Sequence, residues 1–334
     1  MRGTAIVTGA SGFIGSNLCT GLIARGFRVR AMVRESSSRE FLGPLDVEYA
    51  VSTLHDATSL GAAMEDADVL FHIAAKASDW GSLEEFRKNN VGGTRSVLEA
   101  AAARGVKRVY FMSSLSVHAF SGLEDASEDT PLLEGSGFSY GLSKAEAERH
   151  AFELARDKGL QLSAARTGVA YGPNDHSVFE KLADGIQSGL YQHVGGGGTY
   201  GPFCYVENLV DGMILCATHE RAVGRVYNLV DDGKVTWRQF ADAACDALAW
   251  PRVTKRVPLA LARIAGAACE GAYRLVGAKR EPPLTRYRIA YVARHLHFSN
   301  ARAKEELGWK PEIGMEEGLK RTAKWYLERK KGKT

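Results

Sequence analysis

A tyrosine and a lysine four residues apart, Tyr140 and Lys144, are the side chains whose types and spacing most directly imply chemistry. On a helix they share one face, one turn apart. A free phenol has a pKa of about 10, too high for efficient proton exchange at neutral pH. A nearby ammonium is therefore expected to favour the phenolate and lower the tyrosine pKa. Upstream, Ser113 and Ser114 end an apolar run, where a hydroxyl can hold a substrate oxygen and turn it towards Tyr140. A phenol, an ammonium and a hydroxyl together suit proton transfer to or from an oxygen while a hydride moves at the attached carbon.

A second motif lies near the start of the chain, Gly9-Ala10-Ser11-Gly12-Phe13-Ile14-Gly15, directly after the apolar run Thr4-Ala5-Ile6-Val7. Gly9 permits a tight turn, Gly12 lets backbone approach a pyrophosphate, and Gly15 lets the next helix pack on a sheet. That helix, expected over 14–25, presents free N–H groups and a partial positive charge to phosphates. The spacing is one residue off the usual dinucleotide fingerprint. In conjunction with Ser114, Tyr140 and Lys144, the turn points to a nicotinamide cofactor that is bound and used.

These residues require a scaffold, and the alternation of apolar strands with amphipathic stretches supplies one. Strands are expected at 4–8, 28–33, 47–51, 69–73, 108–113 and 161–166, and helices at 14–25, 59–64, 83–104 and 140–158. This is an α/β pattern, a doubly wound parallel (Rossmann) sheet covered on both faces. Trp80-Gly81 and residues 121–138 read as loops at strand C-terminal ends, where such sheets bind ligands. After Tyr171-Gly172-Pro173 the alternation weakens. Gly195 to Gly198 form a turn, 203–206 and 225–229 read as short strands, and helices are expected at 237–249 and 259–276. The expected division is a dinucleotide-binding domain over 1–168, with the chain returning to it around 202–232. Residues 169–201 and 233–334 then form a smaller, helix-rich substrate lobe.

Composition narrows the class. The chain has 334 residues, 45% hydrophobic and 25% charged, as expected of a globular protein larger than a single domain. Its net charge of +4 is too small, and its basic residues too little interleaved with aromatics, for nucleic acid to be the partner. The basic end from Glu328 reads as solvated. Five scattered cysteines show neither C-x-x-C nor ligand spacing, so neither disulfides nor a metal are expected. His295 and His297 lack a third ligand. With strand one starting next to Met1 and no room for a signal peptide, a cytoplasmic setting is expected. The most apolar stretch, 259–276, is interrupted by Arg263, Glu270 and Arg274, which argues against an integral membrane span. It is expected to shield a substrate cleft, with shallow membrane contact as the alternative.

The motifs taken in order resemble the extended short-chain dehydrogenase/reductases, the NAD-dependent epimerase/dehydratase superfamily. The resemblance rests on the Gly9 turn, Asp68 to Ala75, Asn90-Val91-Gly92-Gly93-Thr94, Ser113-Ser114, Tyr140 with Lys144, Tyr171-Gly172-Pro173, and Tyr205-Val206-Glu207-Asn208. It continues through Ala303 to Pro311 and Glu317-Gly318-Leu319. It implies Ser114, Tyr140 and Lys144 as catalytic, with Asn90 ordering the cofactor or a water, or else simply starting a helix. Ser114 is preferred to Ser113 because Leu115-Ser116-Val117 registers with the family's segment after its catalytic serine. The cofactor site it implies comprises Gly9, Ser11, Gly12, Phe13, Ile14, Gly15, Arg34, Ser36, Thr53, Leu54, Ala74, Ala75, Lys76, Tyr140, Lys144, Thr167 and Val169. Thr53 stands where the family has an aspartate contacting adenine. Strand two ends in Val33-Arg34 without an acidic residue to hold a ribose 2′-hydroxyl. Arg34 and the serines from Ser36 suit a 2′-phosphate instead, so NADP(H) is expected over NAD(H).

Within the family, sugar-nucleotide epimerases and dehydratases hold a diphosphate with an asparagine and an arginine. Here those positions are Val169 and Gly201, and an uncompensated dianion in a partly buried site is costly. Dehydratases also place an Asp-Glu pair where this chain has Leu115-Ser116. His72 to Gly81 and Arg280 to Arg286 instead resemble the 3β-hydroxysteroid dehydrogenase-like group, which includes 2-alkyl-3-ketoalkanoate reductases. The expected reaction interconverts a secondary alcohol and a ketone on a bulky, apolar hydroxy or keto compound. Ser114, Tyr140 and Trp80 would contact that substrate, although Trp80 equally reads as a packed loop anchor. A nucleotide-sugar epimerase/dehydratase is the alternative, and a non-catalytic NADP-sensing protein the third reading. The resemblance also implies a homodimer through the helices at 83–104 and 140–158.

Overall fold

The computed structural model describes residues 3–278 and 280–332. Its strands in chain order are β1 (Thr4–Thr8), β2 (Arg28–Val33), β3 (Glu48–Val51), β4 (Val69–His72), β5 (Arg108–Ser114), β6 (Leu123–Ala126) and β7 (Gln161–Thr167). There follow β8 (Val169–Tyr171), β9 (His193–Val194), β10 (Phe203–Tyr205), β11 (Val226–Leu229), β12 (Arg256–Val257) and β13 (Leu296–Phe298). Seven of them form one parallel sheet in the order β11-β7-β5-β4-β1-β2-β3. The order reverses beside β1, which opens the crevice that doubly wound sheets use for ligands.

The β-branched and apolar β1 is buried along its whole length, as a central parallel strand must be. One face of the sheet packs Leu18 and Leu22 against Val210 and Met213. The other packs Leu60, Leu98, Phe111 and Ala151. Strand β11 returns to the sheet beside β7, in the register Val226 to Ala164. Three two-stranded parallel pairs, β8 with β10, β9 with β12 and β6 with β13, knit the later chain beyond the sheet.

The sequence pattern placed the first-half strands to within one residue at either end, with larger differences elsewhere. The stretch expected as one helix at 83–104 is interrupted by a π-helical segment, Arg87–Gly92, between Leu83–Phe86 and Gly93–Ala103. The expected loop 121–138 contains β6, a strand created by pairing with β13 about 170 residues on. The buried helix Val206–Thr218 replaces the end of the expected strand 203–206. It is apolar on most sides, so its sequence carries little helical periodicity. Among the described residues no helix is long and apolar enough to cross a membrane, and no group of histidine, cysteine and carboxylate side chains could hold a metal ion. The basic end keeps Glu328 to Lys331 in the helix Met315–Lys331, while Lys333 and Thr334 lie outside the described residues.

Candidate active site

A cleft of about 1600 Å³ runs along the C-terminal ends of the strands and on between the sheet and the later chain. Its floor begins at the glycine turn. Gly9 has φ +70°, and a Cβ there would lie 3.0 Å from the Ala74 backbone; at Gly15 it would lie 2.2 Å from the Gly9 carbonyl oxygen. Gly12 caps the helix Phe13–Ala24 with no side-chain hydrogen bond, so first-turn N–H groups face the cleft. Thr167 adds a buried hydroxyl, also in the lining, with no hydrogen-bond partner. A glycine cradle, a helix N-terminus and an unpartnered hydroxyl fit a dinucleotide.

Ser11, Phe13, Ile14, Arg34, Thr53, Leu54, Ala74, Ala75, Lys76 and Val169 line the same cleft. Ser36 does not; Ser37 does, and its hydroxyl accepts from the Arg34 backbone N–H at 3.0 Å, turning it inward. His55 is a further lining residue beside Thr53 that the sequence reading did not single out. Asn90 lies outside the lining and is buried. Its Oδ1 accepts from the Lys76 N–H at 2.7 Å and its Nδ2 donates to Ser143 at 2.9 Å. It sits in the π-helical segment rather than at a helix start, and ties the loop after β4 to the helix Ser139–Lys158.

That helix carries Tyr140 and Lys144 on the face that meets the end of β5. Gly141 makes the approach possible, since a Cβ there would stand 2.3 Å from the Ser116 carbonyl oxygen. Burial pushes the Tyr140 phenol above its ordinary pKa, and its hydrogen bond with Ser114 pulls the other way. The Ser114 hydroxyl also accepts from the Ser116 N–H at 3.2 Å. Ser113 also reaches the cleft lining, but its hydroxyl is committed to the buried carboxylate of Glu148, so Ser114 is the serine bonded to the tyrosine.

Lys144 departs from the expected electrostatics. Its ammonium donates to the Met112 carbonyl oxygen at 2.6 Å and lies 4.5 Å from the centre of the Phe111 ring. Burial lowers its pKa to about 8, partly offset by Glu148. The expected depression of the Tyr140 pKa by Lys144 is therefore not what the protein alone displays: desolvation of the phenol outweighs every opposing contact.

Behind this wall lies a buried polar network. Glu148 takes a two-pronged contact from Arg166, whose other nitrogen donates to the Glu128 carbonyl oxygen at 2.8 Å. His72 bridges Thr8 and Thr94, and burial with the Lys144 charge lowers its pKa to about 3, so it is neutral.

The opposite wall is aromatic. The Tyr287 hydroxyl meets Ser116 Oγ at 2.7 Å and its ring stands edge-on to Tyr140 with centroids 6.4 Å apart. Tyr291, Trp237, Phe240 and Ile289 continue the surface. The sequence reading missed these residues; the segment it noted, 280–286, stops one short of Tyr287. Trp80 lies outside the lining, with its indole N–H on the Ala278 carbonyl oxygen and its ring edge-on to Tyr273. In this structure it packs as a loop anchor. Gly201 also lies outside the lining, and a side chain there would strike Phe203 and Trp237.

The sheet, the glycine cradle and the Ser114–Tyr140–Lys144 corner define a class, and the sequence comparison names it. Residues 5–229 match the NAD dependent epimerase/dehydratase family, and the chain belongs to it. It is an NAD(P)-dependent oxidoreductase of the extended short-chain dehydrogenase/reductase type, acting on CH–OH groups. A 2-alkyl-3-oxoalkanoate reductase from Stenotrophomonas maltophilia (strain K279a) is 30% identical over 95% of this chain and 97% of its own. A UDP-glucose 4-epimerase from Vibrio cholerae is 26% identical over 98% of this chain and 97% of its own. The crystal structure of gox2253 superposes with a TM-score of 0.82 at 27% identity, covering 98% of this chain and 99% of that one.

Proposed function

We propose that this protein is an NADP(H)-dependent reductase interconverting a secondary alcohol and a ketone on a bulky, largely apolar substrate, sterol-like or β-keto acid-like. The observation that carries this reading is the aromatic wall facing Tyr140: Tyr287, Tyr291, Trp237 and Phe240 offer apolar surface where a sugar diphosphate would need cations. Val169 supplies no hydrogen bond there. Arg288, a cation in the lining, is already held by Asp79 and Glu281. A nucleotide-sugar epimerase is the second reading, favoured only by family membership and by likeness to the Vibrio cholerae enzyme.

In the ketone direction Ser114 donates a hydrogen bond to the carbonyl oxygen and orients it. Tyr140 gives that oxygen its phenolic proton as the carbon is reduced. The raised pKa of the phenol keeps it protonated before the reaction, as an acid must be. A nicotinamide cofactor, when bound, would supply the hydride. Lys144 at the same corner would hold its ribose hydroxyls and offset the phenolate charge as it develops. The cradle from Gly9 to Gly15 would hold the pyrophosphate. Arg34, Ser37 and His55 would meet a 2′-phosphate, with Thr53 and Leu54 against the adenine side. The division into a nucleotide domain of 1–168 and a lobe of 169–201 and 233–334 follows the two walls. A homodimer through the helices Gly93–Ala103 and Ser139–Lys158, which pack side by side, accompanies this reading.

A spectrophotometric screen of NADPH oxidation against sterol-like ketones, β-keto acids and UDP-sugars tests it. NADPH should be consumed with an apolar ketone and at least about tenfold better than NADH, as one charge-assisted contact implies. Arg34→Asp should erase that preference. C4 inversion of a UDP-sugar without net cofactor consumption would move the protein to the epimerases.

A further inference from the structure

The helix Leu259–Leu275 is amphipathic in the opposite sense to an ordinary surface helix. Its buried side carries Ala262, Gly266 and Glu270, and the Glu270 carboxylate accepts from the Arg286 backbone N–H and Nε at 2.7 and 2.8 Å. Its outer side carries Leu261, Ile264 and Leu275, which are 57%, 66% and 90% exposed. At roughly 100° per residue these three, with Ala268 and Ala272, fall on one stripe about 80° wide. All five are exposed, and Val276 extends the stripe past the helix end. Leaving such a face in water forfeits burial that a partner surface would recover.

The charge around the stripe identifies that surface. Between residues 251 and 288 there are nine lysines and arginines against two glutamates and no aspartate. This local excess of seven is larger than the +4 of the whole chain, so the remainder is net negative. Glu270 and Glu281 are both engaged by arginines. Arg256, Arg263 and Arg280 make no ion pair among the described residues. Arg256 precedes the helix and Arg280 follows it, so the apolar stripe lies between uncommitted cations at its two ends and complements an anionic lipid surface, with aliphatic side chains entering the acyl boundary and guanidinium groups meeting headgroups. The helix also lines the cleft from within through Ala262 and Ala265. A bilayer on its outer face would therefore lie one helix away from the substrate wall.

We infer that the Leu259–Leu275 helix docks the protein in the plane of an anionic membrane, its outer stripe inserted and Arg256 and Arg280 on the headgroups. The inference does not rest on the identity of the substrate. Co-sedimentation of the full chain with phosphatidylcholine vesicles, with and without phosphatidylglycerol, tests it. Binding should require the anionic lipid and fall as salt is raised. The exposed pair Leu261→Glu and Ile264→Glu should weaken it by about tenfold or more. Arg256→Glu with Arg280→Glu should weaken it by about fivefold or more while leaving the apolar stripe intact. Unchanged melting temperatures would show that both variants fold, since neither site is buried. Failure of the unmodified protein to sediment with anionic vesicles, or undiminished sedimentation of the double variant, would overturn the proposal. Self-association in the absence of lipid that the double variant abolishes, with no vesicle binding, would assign the stripe to a second copy instead.

Discussion

The two walls of the cleft are built on opposite physical plans. The sheet-side wall is polar and over-determined: Ser114, Tyr140 and Lys144 project from a strand end and a helix whose own polar groups are satisfied by Glu148, Arg166, Asn90 and Ser143. The facing wall is aromatic, with Trp237 edge-on to Tyr291, Tyr291 stacked on Tyr287, and a hydrogen bond between the Tyr287 and Ser116 hydroxyls meeting the first wall beside Tyr140. Buried, mutually bonded polar groups fix positions to a fraction of an ångström, which proton transfer demands. Packed rings supply area without specifying one partner geometry. A family can therefore keep its chemistry constant on the first wall while changing substrates on the second.

The sharpest way to break this contrast is to remove the proton donor. Tyr140→Phe should lower turnover by about 10²–10⁴-fold while cofactor affinity, measured by fluorescence titration, stays within error. Near-normal turnover would end the assignment of the acid to the polar wall. Next in size is the support behind that wall. Arg166 and Glu148 are each only 4% exposed in their side chains, so Arg166→Ala leaves a carboxylate buried and unpaired. Unfolding by urea should show a loss of about 3–5 kcal/mol. A loss comparable to an exposed pair would mean the network relaxes and does not hold the corner rigid.

The two walls also differed in how far they could be read from sequence. Strands β1, β2, β4, β5 and β7 alternate with helices at short range, and their buried apolar runs are local signals. The glycine turn and the pairing of Tyr140 with Lys144 are likewise local. Strand β6 was invisible because it exists only through β13. Tyr287 looked like any tyrosine until folding set it beside Tyr140. Trp80, read equally as a contact or an anchor, is packed by a bond to Ala278 at a separation of 198 residues, which no local pattern conveys. The raised pKa of Tyr140 in the protein alone was not legible, because spacing conveys charge but not burial, and burial dominates both Tyr140 and Lys144.

That burial gives a pH test of the polar wall. The folded-state pKa of Lys144 is lowered from 10.5 to about 8. Below pH 8 both folded and unfolded chains carry the ammonium, and the native state bears the whole cost of burying it. Between about 8 and 10.5 the unfolded chain binds more protons, so stability rises with pH, by about 3 kcal/mol across the window. Urea midpoints at pH 7.5 and 10 should show this gain in the unmodified protein relative to Lys144→Met. Comparison with the variant cancels the tyrosines, which titrate in the opposite sense at the upper end. Parallel pH profiles in the two proteins would show that the ammonium is solvated and the corner is looser than its contacts imply.

The smallest expected effect concerns how the aromatic wall is held in place. Asp79, in the loop after β4, accepts from Thr285 and from two nitrogens of Arg288, while Ser78 donates to Glu281. This latch joins the first wall's loop to the segment that leads into Tyr287. The Asp79 side chain is only 4% exposed, whereas that of Arg288 is 35% exposed, so water moderates the loss when the charge is removed. Asp79→Asn keeps the shape and a hydrogen bond to Thr285 but loses the ion pair, a change of about 1–2 kcal/mol. If the latch positions the aromatic wall for substrate without touching the reacting atoms, KM for an apolar ketone should rise about tenfold while kcat stays within twofold, roughly the split expected when uniform binding is lost. A fall in kcat with KM unchanged would instead mean that the latch reaches through Tyr287 and Ser116 to the proton donor, and that the two walls work as one.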